Sequence, residues 1–198
     1  MSGLPNPAEN AKDLWAGLNP PYRTIVADPP WHYSQGGPRN GNGWETASGK
    51  AMRPPPYSHM SVEEIATMDV GALAADDAHL YLWTTNAYLR CSFAIAEGWG
   101  FKHSQTVTWC KPARGIGPGG AFSNTTEFVL FCRRGHLKHE ARFDRTWWEW
   151  PRRGHSVKPP EFLDIVEAVS PSPRVELFAR QPRLGWDSWG YGYEQEVS

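Results

Sequence analysis

The chain has 198 residues, with 19 Gly, 18 Pro and 40% apolar residues. That length holds one sizeable core rather than two full domains, and the apolar share argues against outright disorder. Lys plus Arg is 20 and Asp plus Glu is 21, a formal net charge of -1, so overall charge alone does not grip long nucleic acid.

Residues 1–20 read as an N-terminal arm, followed by a single domain over 21–198. TIVA at 24–27 is a short apolar run of the kind that forms a buried strand. It stops at Asp28-Pro29-Pro30-Trp31. The Gly-, Pro- and Asn-rich stretch 32–57 then reads as either a disordered segment or a functional lid. Ser61 with Glu64 has capping-box spacing and opens a helix through Met68. HLYLW, 79–83, is the next strand. Apolar residues at helical spacing over 86–97 make a helix stopped by Gly98. A strand follows at 103–110, then a second loop, 111–125, with Gly115, Gly117, Gly119 and Gly120. No Gly-Lys-Ser/Thr follows these glycines, so the loop is no P-loop. EFVLFC, 127–132, is a strand. A basic connection leads to a helix over 159–169, with Pro159 and Pro160 at its first turn. RVELFA, 174–179, is the last clear strand, and an aromatic, glycine-rich tail begins at Gly185.

Strands alternating with helices predict an α/β fold with a mostly parallel sheet and helices on both faces. Ligands in such folds sit at the carboxyl ends of strands. Asp28, Lys111 and Arg180 each follow a strand and so share one rim. Residues 133–158 hold eight Lys/Arg against three acids, net +5, which leaves the rest of the chain near -6. Such a strip either meets phosphates or is an ordinary solvated face. Trp147, Trp148 and Trp150 within it either stack on bases or belong to the core. His136-x-x-His139-Glu140 has a metal-like spacing without further ligands nearby and reads as a polar loop, so no metal is expected. Cys91, Cys110 and Cys132 fit no staple or zinc pattern, which points to a reducing cytoplasm. No apolar run reaches membrane-spanning length, so no membrane partner is expected.

Asp28-Pro29-Pro30-Trp31 is the segment with the most chemistry. A carboxylate leaving a buried strand has its direction fixed by the sheet. Pro30 holds Pro29 extended, and neither proline carries an N–H. A carboxylate, a carbonyl and an indole face therefore lie close together. That set suits a planar ring with an exocyclic amine, whose hydrogens are accepted while the ring stacks. The bland alternative is a turn with a buried Trp.

ADPPWHY, 27–33, resembles the signature of amino-methyltransferases that modify the N6 amine of adenine. Further matches are YLWTTN at 81–86, WGFKHSQTVTWCKP at 99–112 and NTTEFVLFCRRG at 124–135, then HSVKPPEFLDIVE at 155–167 and ELFARQPRLGWDSWG at 176–190. Together they narrow the resemblance to the MT-A70 family, whose eukaryotic members include the catalytic subunit of mRNA adenosine methylation. The resemblance covers roughly 22–190.

It implies a Rossmann-like fold that binds S-adenosylmethionine, with the catalytic motif ahead of the main cofactor motif. By position, Asp28, Pro29, Pro30 and Trp31 would form the target-amine site, with Asp28 also near the methionine end of the cofactor. Lys158 would pair with the cofactor carboxylate, and Arg180 would contact its ribose. Glu127 would assist the target nucleoside or brace the catalytic loop, with Asn124 and Lys111 as companions. Tyr33 would belong to a lid over the target base. The match departs at Tyr191, where the family usually has Asn, and Arg183 stands as a substitute ribose contact. The implied substrate is DNA in preference to RNA, with a homodimer or a related partner subunit as further expectations. Alternatives are a catalytically weak or inactive nucleic-acid-binding subunit of a methyltransferase complex, an RNA adenosine methyltransferase and a cytosine N4 methyltransferase.

The resemblance also constrains the chemistry. The adenine amine is a poor nucleophile because its lone pair is delocalised into the ring. A carboxylate, near ~3.9 in model peptides, is too weak a base to deprotonate it directly. The role expected for Asp28 is to accept a hydrogen bond and favour a tetrahedral nitrogen as the new bond forms.

Overall fold

A computed structural model describes residues 14–32, 59–112, 121–153 and 157–190. Its strands are β1 (Tyr22–Ala27), β2 (Ala74–Thr84), β3 (Lys102–Cys110), β4 (Thr126–Arg134), β5 (Trp147–Glu149), β6 (Arg174–Leu177) and β7 (Asp187–Trp189). Its helices are α1 (Val62–Ala66), α2 (Leu89–Gly98) and α3 (Glu161–Val169). They build one sheet in the order β5-β3-β4-β2-β1-β6-β7. Pairings β1–β2, β1–β6, β6–β7 and β3–β5 are parallel, and β4 runs antiparallel to both β2 and β3. This is the mostly parallel α/β sheet that the order of elements predicts.

Period-two alternation divides the sheet into two apolar faces. Ile25, Ala27, Leu80, Leu82, Leu130, Val175 and Leu177 pack beneath Ile65 of α1 and Ile95 and Ala96 of α2. Val26, Tyr81, Trp83, Trp109 and Val129 pack beneath Phe162 and Val166 of α3. Each fully buried aliphatic side chain contributes roughly 1.5–3 kcal/mol. Helices therefore cover both faces, and the α3 face carries the side chains at even positions of β1.

Local signals set the boundaries. Ser61 Oγ accepts the Glu64 N–H at 3.1 Å and Glu64 Oε2 accepts the Ser61 N–H at 2.7 Å, closing the expected capping box. β2 starts five residues before the expected 79. Tyr22 pairs with Ala74 across the sheet, and the register shifts before Thr24 meets His79, so Asp76 and Asp77 are carried in an irregular stretch of the strand. β6 stops at Leu177 rather than 179, because Phe178 takes a left-handed φ of 64°. Strands β5 and β7 have no counterpart in the sequence reading; each is three residues at a sheet edge. Trp15, read as part of an arm, is buried, and its Nε1–H donates to the Asp69 carbonyl at 3.2 Å. Residues 1–13 lie outside the described residues.

A buried polar cluster fastens the basic connection to the α3 face. Burial lowers the His79 pKa to about 4, so the ring is neutral. Its Nε2 lies 3.2 Å from the Leu137 carbonyl, which can only accept, so Nε2 carries the proton. Nδ1 then accepts from Ser170 Oγ at 2.7 Å, and Tyr81 donates to the same hydroxyl at 2.7 Å.

Gly190 closes β7 against the exit of β6. A Cβ there would lie 2.5 Å from the Ala179 oxygen and 2.6 Å from its nitrogen, both backbone atoms. Gly190→Ala is expected to destabilise the fold by on the order of 2–3 kcal/mol. Thermal melting checks this, and an unchanged midpoint would contradict the packing.

Candidate active site

Three central strands aim their ends at one rim. Thr24, Val26 and Asp28 alternate onto the α3 face, as do Trp83 of β2 and Glu127 and Val129 of β4. Because β4 runs opposite to its neighbours, its first residues meet the last residues of β2 and β3, with Glu127 opposite Trp109. Lys158 arrives on the same face just before α3. Its Nζ donates to Asp28 Oδ1 at 2.6 Å and Oδ2 at 2.8 Å, and lies 3.5 Å from Glu127 Oε2. Lys111, directly after β3, pairs with Glu127 Oε1. Four residues expected at the site thus form one alternating chain: Asp28, Lys158, Glu127, Lys111.

The aromatic floor of that chain is built by the sheet. Lys158 Nζ sits 5.2 Å from the Trp83 ring centroid, and Lys111 Nζ sits 4.6 Å from that of Trp109. Burial works against the Lys158 charge, but Asp28 and Glu127 outweigh it and hold the ammonium above its ordinary range. Burial likewise pushes the Glu127 carboxyl up, and Lys158 and Lys111 overcome this to hold it below its ordinary value.

The Asp-Pro-Pro-Trp turn differs from the expected open platform. Trp31 is only 4% exposed, its ring stacked on Tyr88 at 4.8 Å and its Nε1–H donated to the Trp83 carbonyl at 3.2 Å. Trp31 therefore braces the turn from below rather than offering a free face. The Pro29 carbonyl accepts the Trp31 N–H at 2.9 Å, which leaves one of its two lone pairs. Pro30 accepts the Met60 N–H at 2.9 Å, and Met60 accepts the His32 N–H at 3.1 Å, so the turn is pinned to the start of α1.

Other expected residues fall in varied places. Arg180 is exposed after β6, and its charge acts on both Lys158 and Glu176. Arg183 contacts α3: it donates to Glu167 at 2.7 and 3.0 Å and to Asp164 at 2.6 Å. Trp186 Nε1–H joins the same Glu167 at 2.7 Å, so Arg183 ties the 180–186 turn to the helix. Asn124 is exposed, with its carbonyl accepting from Arg152 at 3.2 Å. Tyr33 and Tyr191 lie outside the described residues.

The sequence reading passed over Glu176. It lies on β6 opposite Val26 and Ser188, on the α3 face. Burial and then the neighbouring Asp28 charge raise its carboxyl to about 7. The Ser188 hydroxyl beside it is buried without a hydrogen-bond partner. Phe178, two residues on from Glu176, has a left-handed backbone, a conformation that costs about 1–2 kcal/mol and tends to mark functional turns. The signal available in the sequence was an acid in an otherwise apolar strand run, RVELFA.

Burial and the Asp28 charge disfavour ionisation of Glu176, so this corner suits a positively charged ligand, and Lys158 suits a carboxylate. An orphaned hydroxyl nearby offers one further hydrogen bond. An ammonium beside carboxylates is matched in charge to a zwitterionic ligand that also carries a sulfonium, such as S-adenosylmethionine.

Glu176 also gives a stability prediction. Its folded pKa lies above the ordinary 4.5, so the fold favours the protonated form. Stability from this group is intact below pH 4.5 and is lost as pH rises toward 7. In the cofactor-free protein, Glu176→Gln is expected to stabilise by on the order of 2 kcal/mol at alkaline pH and to match the parent in acid. Paired thermal melts at pH ~8 and ~4.5 decide this. A gain independent of pH would contradict it.

The MT-A70 family model matches residues 22–192. The Type II methyltransferase M.MunI of Mycoplasma sp is 32% identical over 181 residues, covering 85% of this chain and 76% of that protein. The N6-methyladenosine RNA methyltransferase MTA1 of Cryphonectria parasitica is 27% identical over 190 residues, covering 90% of this chain and 54% of that protein. With the family model spanning all seven strands of the sheet and the whole charged rim, this chain belongs to the MT-A70 family.

Proposed function

We propose that this site methylates the N6 amine of adenine in DNA. Membership of the MT-A70 family makes the chain a nucleic-acid adenine N6 methyltransferase that uses S-adenosylmethionine; the choice of DNA is the proposal. Greater likeness to the Type II methyltransferase favours it, and likeness to the RNA methyltransferase supports RNA as the second reading. The observation that carries the site assignment is the contact between Lys158 and both oxygens of Asp28 at a strand end.

When bound, S-adenosylmethionine supplies a methyl group on a cationic sulfur. The chain's own residues prepare the nitrogen. A carboxylate has about four lone-pair sites, so Asp28 accepts an amine hydrogen while keeping Lys158. The free lone pair of the Pro29 carbonyl takes the other. Two acceptors aimed at one amine draw its lone pair out of conjugation, an interaction stronger in the transition state than before it. The surplus proton on the methylated nitrogen then leaves to Asp28 Oδ or to water.

Glu127 with Lys111 borders the target base and holds Lys158 in place, and Arg180 serves the ribose end of the cofactor. Three free thiols fit a cytoplasmic setting, and no helix among the described residues is long and apolar enough to cross a membrane. A related subunit or second copy is the partner we expect. Labelled methyl transfer to matched DNA and RNA pools, followed by nucleoside identification, tests the reading. N6-methyldeoxyadenosine in DNA is expected; label confined to RNA would select the second reading, and label on cytosine would reject both.

A further inference from the structure

The basic connection ends in a feature that the catalytic rim does not use. β5 is an edge strand of three residues, yet aromatic rings crowd it. Trp148 pairs with Trp109, so it stands on the α3 face, and Trp150 stands two residues further along the same face. Their rings lie 5.8 Å apart and nearly parallel, at 6°. Phe143 caps the row, edge-on to Trp148 at 5.7 Å, and is 45% exposed. The row leads to the site: the Trp150 carbonyl accepts the Trp109 Nε1–H at 2.9 Å, and Trp109 lies beneath Lys111.

Positive charge borders the row at both ends. Arg142 and Arg145 precede β5, and Arg152 and Arg153 follow it. Residues 142–153 carry net +2, the acids being Asp144 and Glu149. Asp144 pairs with Arg145, Arg153 pairs with Glu161 of α3, and Glu149 belongs to the opposite face. Arg152 donates to the Asn124 carbonyl, and its Nε is buried without a partner. An edge strand bearing partly exposed aromatics is an aggregation liability unless something covers it. A cover that is flat, apolar on its faces and negatively charged along its length matches these rings and guanidiniums.

We propose that Phe143, Trp148 and Trp150, with Arg142, Arg145 and Arg152, form a track for an unpaired nucleic-acid strand leading to the Asp28 rim. Bases stack on the rings irrespective of sequence, and the guanidiniums take the phosphates. The inference rests on the nucleic-acid reading above and adds to it where, and in which state, the strand lies. An unpaired strand brings its adenine to the rim already unstacked, whereas a duplex must first flip the base out.

Trp147 supplies the control. It is 53% exposed on the same edge strand, but it pairs with Thr108 and so stands on the opposite face. Anisotropy of adenine-free probes, oligothymidylate and oligouridylate, separates binding from methylation and compares the two sugars; a duplex probe reports strandedness. Phe143→Ala is expected to weaken single-strand binding about tenfold, Phe143→Trp to retain it, and Trp147→Ala to change it by less than about twofold. Arg145→Ala is expected to reduce the salt slope by about 0.7. Equal affinities for parent and Phe143→Ala, in a parent that methylates adenine, would overturn the track and leave the function standing. Equal losses in Phe143→Ala and Trp147→Ala, or tighter binding to duplex than to single strand, would also overturn it. A parent that neither binds the probes nor methylates any pool would overturn both.

Discussion

Asp28→Asn is expected to slow methyl transfer by about 10²–10³-fold with the fold retained, the loss seen when one group aimed at a developing charge is removed. The substitution keeps the shape and one acceptor oxygen but removes the charge. In the parent, both carboxylate oxygens lie within 2.8 Å of Lys158 Nζ. In the variant, the only carboxylate left to the ammonium is Glu127, at 3.5 Å. The target amine then meets a neutral amide, one side of which is a donor, and the acceptor pair with the Pro29 carbonyl is broken. The fold has no comparable dependence: β1 is held by Ile25, Val26 and Ala27, each no more than 1% exposed. Single-turnover transfer, with thermal melting alongside, checks the prediction. Transfer above about a tenth of the parent rate would contradict the role.

Lys158→Met is expected to act on a different quantity. Its ammonium bonds Asp28, approaches Glu127 and helps restrain Glu176. Methionine keeps the length and the contact with Trp83 but leaves these acids facing one another. Loss of a charged hydrogen bond of about 1.5–3 kcal/mol lowers cofactor affinity roughly 10–100-fold. The loss is expected to be greater at alkaline pH, where Glu176 is ionised, than at pH 5, where it holds a proton. Transfer at saturating cofactor falls less than in Asp28→Asn, so the two variants divide between rate and affinity. Calorimetric titration with S-adenosylhomocysteine reads this directly. An unchanged dissociation constant would remove Lys158 from the cofactor site.

The two charges that matter most were legible because each stands next to a strong local signal. Asp28 ends the apolar run TIVA, and Lys158 precedes a helix opened by two prolines. Their separation of 130 positions closes to 2.6 Å because β1 lies beside β6, the strand that follows α3. What the sequence could not convey is direction. EFVLFC reads as a strand either way, yet only an antiparallel β4 carries Glu127 to the rim beside Lys111. Trp31 reads from the sequence as a stacking face or as the buried Trp of a turn, and the choice depends on partners from distant segments, Tyr88 and Trp83. β5 and β7 were hidden because three-residue edge strands are defined by the strand beside them rather than by their own pattern. Glu176 was passed over for a related reason: its unusual protonation follows from burial beside Asp28, a tertiary fact.

Asp28 and Lys158 are proposed to serve a single pocket in which the amine and the cofactor meet. A crystal structure with S-adenosylhomocysteine and an adenine-bearing oligonucleotide tests this most directly. We expect the amino-acid end of the cofactor product at Lys158 and the adenine N6 within about 3 Å of an Asp28 oxygen. Cofactor bound away from the carboxyl ends of β1 and β6, or an adenine amine turned from Asp28, would contradict it.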